Sequence, residues 1–224
     1  MKTKLFSFVL ILILSASLAM AQGTQTKISF AILGGVNLQN INGKDWNGDK
    51  LNNDLIVGYH IGVNAQIPFA PQFYFQPGLL FTTKGAKWTD GSEITTDRLS
   101  YIELPLNVVY KGLLGTGYIM IGFGPYFGYA IGGKSTTDDG SETVKSDIEF
   151  TKVVEAGDPT SIRYYKAFDL GGNIFAGYET AGGLFFQLNT QLGMIKINPE
   201  DNRITDDQSA YKNIGYGLSV GYRF

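Results

Sequence analysis

The chain has 224 residues, 44% hydrophobic and 13% aromatic, with 29 glycines, no cysteine and a formal charge of −2. That balance argues against a nucleic-acid partner, because phosphate binding needs a basic surface. It also leaves no disulfide to hold the fold together.

Residues 1–21 read as a cleaved signal peptide. Lys2 and Lys4 give a basic start, residues 5–14 an apolar stretch, and Ala19-Met20-Ala21 a small-x-small cleavage pattern. The apolar run is shorter than the roughly 18 to 20 residues a membrane anchor needs, and no cysteine stands at the cleavage site to carry a lipid. The mature domain, residues 22–224, then starts near Gln22 with a charge of −4, because two lysines and no acids leave with the peptide. No linker or composition shift divides it, so one domain is expected.

From Gln22 onward the dominant period is two, punctuated by Gly, Asn and Asp clusters. Eight runs follow, at about 27–38, 55–67, 72–84, 99–111, 117–131, 164–179, 183–197 and 211–224. In the second, Tyr59, Ile61, Val63, Ala65 and Ile67 share one face, and Gly58, His60, Gly62, Asn64 and Gln66 the other. In the last, Ile214, Tyr216, Leu218, Val220, Tyr222 and Phe224 alternate with Asn213, Gly215, Gly217, Ser219, Gly221 and Arg223.

A soluble barrel alternates too, with its apolar face inside. A water-facing exterior would carry Lys and Glu, yet here the polar face is mostly Gly, Asn, Gln and Ser, and the run 117–131 has no charge. Small uncharged groups suit a narrow lumen, and large aromatic and β-branched groups suit lipid. The outward aromatics also sort by height. Phe30, Phe73, Tyr110, Tyr178 and Tyr222 fall low, and Tyr59, Phe81, Phe127, Tyr129 and Phe168 fall high, as two girdles would. The links alternate long and short throughout: 39–54, 68–71, 85–98, 112–116, 132–163, 180–182 and 198–210. The expected fold is therefore all-β: an eight-stranded antiparallel up-and-down transmembrane β-barrel with both termini on the short-turn side.

Particular segments resemble the PorT-like outer-membrane β-barrel family of Gram-negative bacteria. Tyr101-Ile102-Glu103-Leu104-Pro105-Leu106 looks like that family's Tyr-x-Glu-Ile-Pro-Leu strand. Phe168-Asp169-Leu170-Gly171-Gly172 followed by Ala176-Gly177-Tyr178-Glu179 is similar to its Asp-x-Gly and Gly-Tyr-Glu strand. The resemblance covers nearly the whole mature chain. Where many relatives carry Arg-Tyr before Gly-Leu-x-Asn, this chain has Asn189-Thr190 and then Gly193-Met194-Ile195-Lys196, so an ion pair relying on that arginine must be absent or rebuilt. The terminal Phe224, with Tyr222 two residues earlier, looks like the signal read by the barrel assembly machinery. The resemblance implies an outer-membrane location, outer-membrane lipid as surroundings and an accessory role in secretion.

The ionisable groups on the polar face are His60, Lys84, Glu103, Asp169, Glu179 and Arg223. An eight-stranded barrel is just wide enough for its side chains to fill, so a lumen network of His60, Glu103, Asp169 and Arg223 is expected, with Arg223 offsetting Glu103 or Asp169. As a catalyst, His60 would need a carboxylate and a serine within reach near the lipid-facing rim, and no nucleophile motif accompanies it. Asp45-Trp46-Asn47-Gly48-Asp49 begins like a calcium loop, but Lys50 replaces the glycine and Ile56 the bidentate glutamate. Gly122-Phe123-Gly124 and Gly132-Gly133 lack the strand-to-helix context of a phosphate cradle. No catalytic, metal or cofactor site is expected.

Loop 132–163 is long and acidic, with Asp138, Asp139, Glu142, Asp147, Glu149, Glu155 and Asp158. It is the first candidate for docking an envelope protein, against a reading as a solvated, partly disordered loop. Three functions remain open at this point: a non-enzymatic structural or docking barrel, a narrow porin-like channel, and a lipid-modifying enzyme.

Overall fold

The computed structural model describes residues 27–224, so the expected signal peptide and its cleavage site lie outside the described residues. Eight strands form one ring: β1 (Ser29–Lys44), β2 (Ile56–Ala70), β3 (Phe73–Asp90), β4 (Glu93–Leu114), β5 (Gly117–Asp138), β6 (Phe168–Glu179), β7 (Leu184–Gly193) and β8 (Ala210–Arg223). Each pairs antiparallel with the next, and β8 returns to β1. Closure leaves no strand edge in the ring, which is what a sheet surrounded by hydrocarbon requires.

The ring is sheared. A circuit of paired residues leaving β2 at Ile67 runs through Phe75, Val108, Phe123, Ile174, Thr190, Tyr216 and Leu38 and re-enters β2 at Val57, ten residues away. With ordinary strand rise and spacing, that offset tilts the strands by about 40°.

Orientation follows from exposure. On β2, Ile61 is 62% exposed and Val63 50%, whereas His60 is 6% and Gln66 1%. Apolar side chains outside and polar ones inside invert a soluble core, and an apolar belt this large needs lipid around it. The outward aromatics pair within their girdles. Tyr59 and Phe81 stack at 5.8 Å in the upper one. Phe73 and Tyr110 at 5.4 Å, with Tyr222 and Phe224 at 5.1 Å, belong to the lower one.

The lumen departs from the small-residue filling expected of it. Phe175, Phe185, Tyr101 and Tyr126 all point inward and are buried. Glycine on the neighbouring strand makes the room: a Cβ at Gly122 would sit 2.3 Å from the Phe175 ring, and one at Gly221 2.2 Å from the Phe185 ring. Ala31, Leu33, Val109, Met120, Phe175 and Phe185 form an apolar layer low in the barrel.

Above the bilayer the strands continue as a crown. The link expected at 85–98 is not a loop, because β3 and β4 stay paired to Asp90 and Glu93 and meet at Gly91-Ser92. The ladder hydrogen bonds continue in water, and Gly91, at φ 59°, makes the turn. Loop 132–163 is ordered as well. Thr143–Asp147 pairs with the end of β5, Glu149–Phe150 pairs parallel with Tyr164–Tyr165, and Val153–Val154 pairs parallel with Glu200–Asp201. Ile148, Tyr165 and Ile197 from these loops pack with Ile41, Ala86, Leu99, Tyr101 and Ala130 from the strands.

If glycine is kept at position 122 for space, Gly122→Val should lower the folded fraction in detergent refolding, and adding Phe175→Ala should restore much of it. The heat-dependent shift of the folded barrel in gel electrophoresis measures both.

Candidate functional site

The lumen is filled in tiers. High in the barrel, the Lys84 ammonium on β3 lies 2.9 Å from Glu103 Oε2 and 3.1 Å from Asp169 Oδ2, and all three residues are fully buried. Tyr126 and Asn213 donate to Asp169 Oδ2 at 3.2 and 2.9 Å, and Gln191 donates to Glu103 Oε1 at 2.5 Å. The Tyr126 ring lies 4.0 Å from the ammonium. Buried charges are tolerable only when paired and hydrogen-bonded in this way.

Lower down the ratio reverses, and one carboxylate serves two cations. Glu179 Oε1 accepts from Lys111 at 2.7 Å and Oε2 from Arg223 Nε at 2.9 Å. Arg223 also donates to Asn64 Oδ1 at 3.2 Å, and Lys111 to Gln66 Oε1 at 3.3 Å.

Between these clusters lies a neutral tier. Asn37 Nδ2 donates to Thr82 Oγ1 at 3.0 Å, which leaves Asn37 Oδ1 to accept from His60 Nδ1 at 2.5 Å. His60 Nε2 then accepts from Ser219 Oγ at 2.7 Å, and Ser219 Oγ accepts from Asn189 Nδ2 at 3.0 Å. The cavity beside this tier measures ≈ 50 Å³.

His60, Glu103, Asp169 and Arg223 thus all face the lumen, but they do not form one network. Glu103 and Asp169 meet at Lys84, His60 sits apart among neutral groups, and Arg223 pairs with Glu179 instead of the expected Glu103 or Asp169. The reason is position along the barrel axis. Arg223 ends β8 and Glu179 ends β6, so both lie at the short-turn end, away from Lys84. Two residues escaped the sequence reading, Lys111 and Asp97. Both are in phase with Glu103 on β4, and that phase was the available signal. Tyr222 and Phe224 lie outward and exposed at the short-turn end.

In the crown, Asp97 is fully buried and its Oδ2 accepts from the Tyr165 hydroxyl at 2.7 Å, with Arg163 Nε 4.0 Å away. Burial, and then the neighbouring Asp97 carboxylate, hold the Tyr165 phenol well above its ordinary pKa, so it remains a donor. Above it opens a vestibule of ≈ 550 Å³ lined by Trp46, Tyr164, Tyr165, Arg163, Arg203 and several hydroxyl groups. Arg203 braces this space. It holds Asp201 through Nε at 2.8 Å and Nη2 at 2.7 Å, and donates to the Pro159 carbonyl at 2.9 Å.

Residues 20–198 match the family described as outer membrane protein beta-barrel domain. The chain belongs to that family. This outer-membrane barrel is accordingly an integral protein of the cell outer membrane. It is similar in fold to Ail, the attachment invasion locus protein of Yersinia pestis, solved with the heparin analogue sucrose octasulfate, at 11% identity over 88% of this chain and 99% of that one, TM-score 0.44. Neisserial surface protein A is similar at 11% identity over 87% and 95%, TM-score 0.43. OprG from Pseudomonas aeruginosa is similar at 13% identity over 89% and 97%, TM-score 0.43. No curated protein matches the chain.

Replacing Lys84 by Met strands two buried carboxylates, so the barrel should lose about 3–5 kcal/mol, read as a lower urea midpoint for unfolding from vesicles. Adding Glu103→Gln and Asp169→Asn should recover most of that loss, and a triple variant no better than Lys84→Met would contradict the account.

The crown should depend on acid. The hydrogen bonds from Arg203 lower the Asp201 pKa. A lowered folded-state value means the contribution is present above the ordinary aspartate pKa of about 3.9 and is lost as pH falls through the lowered value. Pepsin cleavage in residues 155–163 should therefore rise steeply below that pH, and Arg203→Ala should expose the same segment to proteases at neutral pH.

Proposed function

We propose that this is a non-conducting, non-enzymatic barrel of the PorT-like type whose ordered crown docks another envelope protein, in a role accessory to secretion. One observation carries the reading. The lumen is occupied by the apolar layer, two ion clusters and a loop plug, and the cavity of ≈ 50 Å³ between the clusters has room for only a few waters. The PorT-like assignment is supported by residues 101–106 and by the Asp169 and Glu179 strand. Those same residues supply three of the buried carboxylates.

A channel would need hydrated ions to pass Lys84 and Glu179, each locked in buried ion pairs. Purified full-length protein in planar bilayers should give no reproducible current steps, and steps of constant amplitude would sink the reading.

The enzymatic alternative has one feature in its favour, the Ser219–His60–Asn37 chain of hydrogen bonds, which has the order of a nucleophile, a base and an orienting group. Access counts against it. The hydroxyl faces a cavity of ≈ 50 Å³ within the lumen, with the barrel wall between it and the acyl chains outside. The short bonds instead bring β1, β2 and β8 into one register. A fluorophosphonate probe should leave Ser219 unlabelled in the folded protein, and labelling there would revive the hydrolase.

For the docking role, partners cross-linked to intact protein in gently solubilised membranes should be recovered in smaller yield with Arg163→Ala, which alters the vestibule and leaves the membrane strands untouched. An identical partner set and yield would count against the vestibule as the docking surface.

A further inference from the structure

A groove in the acidic crown is lined by three lysines and reaches the upper aromatic girdle. On the outside of the barrel, residues 150–153 overhang the upper ends of β5 and β6, leaving a space of ≈ 680 Å³. Its wall is apolar: Tyr129 and Phe168, paired across β5 and β6, with Phe150, Ala167 and Ile195. Tyr129 is 60% exposed and Phe168 46%, and both belong to the upper aromatic girdle, so the groove continues the lipid-facing belt upward.

Lys152, Lys166 and Lys196 line it, with Glu200 as the one acid. None of these lysines is in an ion pair among the described residues, a state they share with Lys27, Lys44, Lys50, Lys145 and Lys212. The lysines are held in place by backbone pairing. The Lys152 carbonyl accepts from Glu200 N at 3.0 Å, and Lys166 N donates to the Ile197 carbonyl at 2.6 Å. Three lysines lining an apolar slot at the height of the aromatic girdle match a molecule with an anionic head and a hydrocarbon tail.

We propose that this groove binds an outer-leaflet lipid carrying a phosphomonoester headgroup, with the phosphate held by Lys152, Lys166 and Lys196 and the first acyl segment lying on Tyr129 and Phe168. A peptide partner fits less well, because the apolar wall continues the lipid-facing belt. The site lies on the outer wall and does not depend on what the crown docks.

The test is native mass spectrometry of the full-length protein in detergent, with dioleoyl phosphatidic acid, dioleoyl phosphatidylcholine and inorganic phosphate offered separately. Phosphatidic acid should be retained and phosphatidylcholine released. Lys152→Gln/Lys166→Gln/Lys196→Gln should weaken retention by about ten- to a hundredfold, given the attraction of each lysine to an anionic lipid. The corresponding triple change to Arg should keep it, and Lys134→Gln, on an exposed pair elsewhere in the crown, should have no effect. Equal retention of both lipids would reduce the groove to ordinary annular contact and overturn the proposal. So would inorganic phosphate competing as well as the lipid, or an unaffected triple Gln variant. If the triple variant does not fold, Lys196→Gln alone is expected to show a several-fold loss, and no loss there overturns the proposal equally.

Discussion

Closure of the ladder into a ring is the constraint on which everything else rests. In hydrocarbon no water can satisfy a free N–H or C=O, so the backbone groups of the membrane segment must find partners on a neighbouring strand. Once the eight strands close, the period of two divides the chain into a lipid face and a lumen face, and the usual rule of burial inverts. Ile61 outside and His60 inside are adjacent residues in opposite solvents.

The narrow ring then determines what the lumen can be. Eight strands with an offset of ten residues leave space for side chains and little else. Three cations, Lys84, Lys111 and Arg223, share that space with three carboxylates, Glu103, Asp169 and Glu179. The division is uneven, with an excess of acid near the crown and of base near the short turns. Formal charge balances over the six groups, so the lumen needs no counterion, while large aromatics opposite glycines fill the rest.

Much of this was legible in the alternation along the chain. Phase alone put His60, Glu103, Asp169 and Arg223 on the lumen side, and the punctuation between runs gave the strand number and the sense of the termini. What phase cannot give is which lumen groups meet, because that depends on the offset of the whole ring, a quantity spread over all eight pairings. Arg223 accordingly meets Glu179 and not the Glu103 or Asp169 that phase alone suggests. Lys111 and Asp97 lie at or beyond the ends of the expected run 99–111, where alternation is hardest to read. The crown was legible only as polarity. Its order comes from pairings between distant segments, such as Val153–Val154 with Glu200–Asp201, which local composition does not encode.

These long separations give the ion clusters a second consequence. Lys84 and Asp169 are 85 residues apart, Lys111 and Glu179 68, and Arg223 and Glu179 44. None of these pairs can form within a single hairpin, so each forms only when distant strands have met in the right register. A slip of one residue in β6 would turn Asp169 and Glu179 from the lumen toward the acyl chains and leave Lys84 facing one carboxylate and Lys111 none. A lipid-facing charge in a barrel costs up to about 2–4 kcal/mol for a cation at mid-bilayer and less for an acid, and the stranded lumen partners add their own desolvation cost. The buried charges therefore penalise misregistered rings, a discrimination that a lumen filled by apolar side chains alone would lack.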